Sequence, residues 1–224
     1  MLLNSLLSGG IRGVLVTLLL TLPAVILCLS IHETCHGLAA YALGDHTAAN
    51  QGRLTLEPMA HIDPAGFICM LLLGFGWAKP VPVNISNFKN RRAGAAIVAA
   101  AGPLSNFIVG LLGYLLYFAI SYATADAPGK LGIFAWVVAL FFRYLAMLSV
   151  GLGTFNLLPV YPLDGSRMLD AFLPFRLQLK LQQYQTYLLF GLIFLMWFGG
   201  TDILIGTVNS WIAGASYRLF TLFV

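Results

Sequence analysis

The feature that most restricts this chain is a run from Ile11 to Leu43 that stays apolar over nearly its whole length. As a helix rising about 1.5 Å per residue, it would exceed the ~30 Å hydrocarbon core of a bilayer. Backbone exposed to lipid at that depth has no water to bond, so such a segment must be helical. Ala93 to Tyr122 and Leu131 to Leu158 repeat the pattern, and Tyr187 to Phe198 and Ile203 to Val224 are two further apolar segments. The chain is 59% hydrophobic and 9% charged, whereas a soluble domain carries about 25% charged residues. The expected fold is an all-α polytopic membrane protein with about five membrane-spanning segments. It reads as a single domain over residues 1–224, with a motif-bearing core at about 11–170 and C-terminal spans at about 184–224.

Inside the first run lies His32-Glu33-Thr34-Cys35-His36, an H-E-x-x-H pattern. On a helix, residues four apart share a face one turn apart, so His32 and His36 can bind one metal ion. Glu33 sits beside that face, placed to take a proton from an activated water. The chain has 4 His, and two of them fall in this pentapeptide. Ionisable residues within an apolar span are expensive and mark function.

The connections carry their own signals. The end of the first helix is marked by Gly44, the usual left-handed cap residue. Residues 46–57 are polar, with β-type alternation at Arg53-Leu54-Thr55-Leu56, which predicts a small β-hairpin around Asn50-Gln51-Gly52 near the site. Such an edge could hold an extended peptide by main-chain bonds. Residues 65–77 are apolar but too short to span, and read as a short re-entrant segment. If they do not cross, Lys79, Lys89, Arg91 and Arg92 share one side with Arg167, Arg176 and Lys180. The excess of basic residues makes that side cytoplasmic and brings the ends bearing His36 and Asp164 to it. The net charge of +4 is read as topology signal, not as a nucleic-acid surface. Cys28, Cys35 and Cys69 show no paired spacing and predict no disulfide framework. Arg12 stands alone before a run that holds the metal motif, so that run is not read as a cleaved leader.

A catalytic zinc takes three protein ligands and an open position. Asp45, His46, Glu57, His61 and Asp164 could each supply the third. Asp164 is favoured because it follows a backbone broken by Pro159 and Pro162 at the end of a spanning run. Broken backbone at membrane depth belongs where it lines a cavity. Glu57, 21 residues beyond His36 in the sequence, is its rival, and an N-cap is the alternative role for Asp164. Asn156, in the same broken segment, could donate to a developing oxyanion or hold the substrate carbonyl; its alternative is to bond freed backbone groups.

Five stretches together resemble the site-2 protease family of intramembrane zinc metalloproteases. They are His32-Glu33-x-x-His36; Gly52-Arg-Leu-Thr-Leu with Pro58 and His61-Ile-Asp-Pro64; Gly76-Trp-Ala-Lys-Pro-Val-Pro-Val-Asn84; Ala101-Gly-Pro-Leu-Ser-Asn106; and Asn156-x-x-Pro-x-x-Pro-x-Asp164-Gly165. The likeness is to the compact bacterial type, since no stretch of these residues reads as a PDZ or nucleotide-binding domain. It implies one catalytic Zn2+ on His32, His36 and Asp164, with Glu33 as general base. It also implies hydrolysis of transmembrane protein or peptide substrates in a bacterial cell membrane, with the site towards the cytoplasm. Departures are Glu57 and Ser166, where Asn and Gly are common, and Cys35 between the motif's fixed positions. A metal-site transporter or a catalytically inactive homologue is the alternative function. A prenyl-protein processing enzyme would need a downstream Glu as ligand, and Glu57 is the only other Glu.

Overall fold

The computed structural model describes residues 2–73, 76–125 and 129–224. Helix α1 spans Leu2–Ala42 and is broken at Gly10, whose φ of 58° and ψ of −155° are non-helical. From Gly10 to Ala42 it is long and apolar enough to cross a membrane. Gly44 follows with φ 99°, the left-handed conformation expected of a stop. Short helices α2 (Thr47–Asn50), α3 (Pro58–His61) and α4 (Pro64–Leu73) lead to an extended segment and a 3-10 turn at Ile85–Asn87. Helix α5 (Arg91–Ala123) and helix α6 (Gly129–Asn156) are the second and third long helices, and α7 (Asp164–Asp170), α8 (Phe175–Gln183), α9 (Gln185–Trp197) and α10 (Asp202–Phe220) complete the order.

Two expectations are corrected. The hairpin around Asn50-Gln51-Gly52 is a helical turn, α2, with the Asn50 N–H bonded to the His46 carbonyl at 2.9 Å. No strand occurs among the described residues, which hold one isolated antiparallel bridge, Ile62 to Ala78. The alternating residues spend their polar groups elsewhere: the Thr55 carbonyl accepts from the Thr34 hydroxyl at 2.6 Å and faces His61 Nε2 at 2.7 Å. The Thr55 carbonyl is thereby bonded to α1 and to a buried histidine rather than to a neighbouring strand.

The expectation of five spans is not borne out. Among the described residues three helices suffice by length and composition, and up to four if the α9–α10 pair is one broken span. That pair bends by 72° at Gly199-Gly200, and α9, with 13 residues, reaches only about 20 Å at 1.5 Å per residue. The apolar run read as re-entrant begins as α4; Gly74 and Phe75 within it, like residues 126–128 of the loop before α6, lie outside the described residues. The chain leaves at Ile62 and returns to it at Ala78, where the Lys79 N–H donates to the His61 carbonyl at 2.8 Å.

Helix α5 packs against α1, α6, α7 and α10. Its faces are the reverse of a soluble helix. Leu104, Ile108, Leu112 and Leu116 point outward and are exposed, while Gly102, Ser105, Asn106, Gly110 and Gly113 face the bundle. Small inward residues let backbones approach, as at membrane helix contacts. A side chain at Gly110 would strike Val150, and one at Gly113 would press on Ala146 of α6. Polar cross-links replace a purely apolar core: Tyr114 donates to the Asn209 side chain at 3.0 Å, and Ser216 to the Leu111 carbonyl at 3.2 Å.

Asp45 closes the end of α1. It is fully buried and accepts from the backbone N–H groups of Thr47 (3.1 Å) and Asn84 (2.7 Å), the Thr47 hydroxyl, and the Asn87 amide (2.7 Å). Burial acts to raise its carboxyl, but the bonds from Thr47, Asn84 and Asn87 outweigh it and hold the group below the ordinary carboxylate value. A depressed folded value means that the stabilisation is complete above the unfolded value of about 3.9 and is lost as pH falls through the folded one. Asp45→Ala, which leaves these donors unpaired, should cost about 1–3 kcal/mol, read as a lower unfolding midpoint in detergent at pH 7. Asp45→Asn should flatten the loss of stability below about pH 4; the same acid sensitivity as wild type would contradict the assignment.

Candidate metal centre

The site forms where α1, α5 and α7 meet. His32 and His36 project from one face of α1, their Nε2 atoms 3.0 Å apart. Asp164 opens α7, and its Oδ2 lies 3.1 Å from His32 Nε2 and 3.2 Å from His36 Nε2. The alternative N-cap role is not taken: Leu163 is the cap residue, and Asp164 turns its carboxylate to the histidines. Its Oδ2 is buried and receives no hydrogen bond. Three possible ligand atoms thus converge on one point. Donors about 2.0–2.2 Å from a tetrahedral ion lie about 3.3 Å from one another, close to the separations here. Two imidazoles and a carboxylate, closed to solvent on most sides, fit one zinc ion.

Other groups set the direction of those atoms. His36 Nδ1 lies 2.7 Å from the Val98 carbonyl and donates its proton there, which leaves Nε2 bare. His32 Nδ1 lies 3.0 Å from the Asn106 side-chain amide, itself fully buried and approached by the Ser149 hydroxyl. The atom that faces Nδ1 is the amide nitrogen, Nδ2, which donates to the ring and fixes its plane, while the amide oxygen is turned to Ser149. Gly102 supplies room: a Cβ there would land on the His36 and His32 rings, and only a residue without one lets α5 pass so close. Gly165 does the same behind Asp164, where a Cβ would land on the Leu157 and Leu158 carbonyls. The Tyr161 hydroxyl donates to the Asp170 carboxylate and ties the crossover between α6 and α7 onto α7. Burial, then the Asp170 carboxylate, push that hydroxyl's pKa up to about 12.

The remaining candidates fall elsewhere. Glu33 is buried beside the cluster, and its Oε2 accepts from the Val81 N–H at 2.9 Å. Glu57 is exposed ahead of α3. Asp45 is spent on the donors described above. His61 is fully buried, with Nε2 shared between the Thr55 carbonyl and the Thr34 hydroxyl, so it braces the loop against the metal motif. His46 stacks edge-on against Tyr41. Asn156 donates to the Leu152 carbonyl one turn back on α6 at 3.0 Å. Ser166 donates to the Leu163 carbonyl at 2.7 Å and so sits without strain where Gly is common. Among the described residues, His32, His36 and Asp164 are the one group of three or more His, Cys, Asp or Glu close enough to hold a metal. Reading the sequence missed Asn106, Gly102 and the Val98 carbonyl as supports. The signal for Asn106 was a polar side chain within a spanning helix; a backbone carbonyl leaves none.

A helical membrane bundle with a buried His-His-Asp centre on an H-E-x-x-H helix defines the class. The model of peptidase family M50 matches residues 20–198, and the chain belongs to that family, the site-2 proteases. It is 40% identical over 163 residues to "Putative zinc metalloprotease YwhC" of Bacillus subtilis, covering 73% of this chain and 73% of that one. It is 29% identical over 202 residues to "Putative zinc metalloprotease Rip2" of Mycobacterium tuberculosis, covering 88% of this chain and 71% of that one. No solved structure gives a significant match.

Gly102→Ala should lower zinc content of the purified protein, measured by atomic absorption, with helix content by circular dichroism unchanged. Asp164→Ala should lose the metal, whereas Glu57→Ala should keep it. Zinc retained by the first of these two and lost by the second would move the third ligand to Glu57.

Proposed function

We propose that this protein is an intramembrane zinc endopeptidase that cuts transmembrane helices of membrane-protein substrates, in the manner of regulated intramembrane proteolysis. The observation that carries the reading is the convergence of His32, His36 and Asp164 with Glu33 beside them, inside a bundle whose outward faces are apolar. Family membership supports the same chemistry. A zinc ion held there would polarise a scissile carbonyl and make water a stronger acid.

The side chains have separate tasks. His32, His36 and Asp164 hold the metal. Glu33 takes a proton from the attacking water and returns it to the leaving amine nitrogen as the C–N bond breaks. Asn156 keeps one amide hydrogen beyond its bond to Leu152, available for the substrate carbonyl. The substrate helix unwinds locally, because helical hydrogen bonding occupies the carbonyl that must be attacked. The return of the chain at Ile62 and Ala78 supports the reading that the α4 segment enters and leaves on one side. On that topology the positive-inside distribution puts the site near the cytoplasmic face of a bacterial cell membrane.

Glu33→Gln should fold and keep zinc while cleavage of a panel of model transmembrane helices drops by about 10²–10⁴. Removal of zinc by a chelator should abolish wild-type cleavage, with recovery on adding zinc back. Cleavage at the wild-type rate by Glu33→Gln would end the proposal.

A further inference from the structure

The segment from Lys79 to Asn84 crosses beside the metal motif and is bonded at both ends and in the middle. The Lys79 N–H donates to the His61 carbonyl at 2.8 Å, and the Asn84 N–H to Asp45 at 2.7 Å. The Arg53 guanidinium donates to the Lys79 carbonyl at 2.9 Å and the Pro80 carbonyl at 3.2 Å. Between these anchors lies Pro80-Val81-Pro82. Proline has no N–H, so this tripeptide offers a single backbone donor, that of Val81. That donor is buried and points at Glu33 Oε2, 2.9 Å away. Among the described residues it is the one hydrogen bond made to the Glu33 carboxylate.

The flanking prolines do more than remove competing donors. A residue before proline is held extended by the clash with the ring, and both Lys79 and Val81 precede one. The direction of the Val81 N–H is therefore set by local sterics before the segment docks. Val81 itself is buried, its side chain against Gly37 one turn along α1 from Glu33. From this geometry we infer that the Val81 amide is a positioning group for the general base: it fixes Oε2 and leaves Oε1 as the oxygen that exchanges the proton. This rests on the peptidase reading above. A carboxylate on a flexible stem, held by one preorganised donor, keeps its reactive oxygen in line; a misplacement of about 1 Å at such a group costs about 10² in rate. Arg53, His61 and Asp45 act at one remove, by holding the segment that carries the amide.

Two arms test this. In hydrogen exchange on the zinc-loaded protein, peptides covering Lys79 to Val83 contain only the amides of Lys79, Val81 and Val83, because the prolines contribute none. Glu33→Ala should release one protected amide in that stretch. Glu33→Gln, which keeps an acceptor oxygen, should not. Unchanged protection in Glu33→Ala overturns the inference. In the second arm, Val81→Pro removes the donor and Val81→Ala keeps it. Val81→Pro should retain zinc and KM but lose about 10² in kcat on a model transmembrane helix, with Val81→Ala at least about tenfold faster than Val81→Pro. Equal kcat for the two variants overturns the inference. The exchange arm needs no cleavage, so an enzyme that loads zinc yet cuts none of the helices counts against the peptidase reading alone, while the exchange result still decides the role of the amide.

Discussion

Three ligand atoms brought within 3.2 Å of one another in a buried place are the arrangement to which the rest of the molecule answers. Polar atoms at that spacing need to be held by the other contacts of the bundle. The bundle does so through hydrogen bonds behind the rings and through absent side chains in front. The Val98 carbonyl and the Asn106 amide each bond the outer nitrogen of one ring, and Gly102 and Gly165 let two backbones come closer than any Cβ would allow. A partly satisfied polar cluster in a low-dielectric interior is costly, and here each outer nitrogen of the two imidazoles has its partner.

The membrane setting explains why the supports take this form. Lipid offers no hydrophobic drive to bring helices together, so association falls to close packing and interhelical hydrogen bonds. Helix α5 shows the result: apolar outward, small and polar inward. Asn106 serves both purposes, joining α5 to the Ser149 hydroxyl of α6 while orienting His32 of α1. The residues that assemble the bundle are in part the residues that build the site, and a change at either is felt at the other.

On the exposed side of the metal motif the same economy operates in irregular backbone. The segments Arg53–Glu57 and Lys79–Asn84 are not helical, yet they are bonded to Thr34 and Glu33 of α1 and to Asp45 just beyond it. Irregular backbone beside an active site is tolerated where its polar groups find specific partners. Proline-rich composition reduces the number of partners required, and the remaining amide at Val81 is spent on the Glu33 carboxylate.

Periodicity and hydropathy determined the three long helices and their approximate ends, because a bilayer admits few other solutions for runs of that length. Chemistry determined the metal motif, since two imidazoles four residues apart on a helix can share one ion whatever surrounds them. Asp164 was singled out from the broken backbone before it, and in space α7 brings it to the two histidines while Glu57 is exposed ahead of α3. The hairpin failed because strand pairing depends on a neighbour that alternation in one segment does not specify, and the Thr55 carbonyl found Thr34 and His61 instead. The number of spans failed because apolar composition does not reveal a 72° bend between α9 and α10. What only the tertiary structure decided were the contacts made by backbone atoms: the Val98 carbonyl on His36 and the Val81 amide on Glu33. Every residue carries those groups, so no side-chain pattern marks the ones that matter until the fold sets them against a ligand.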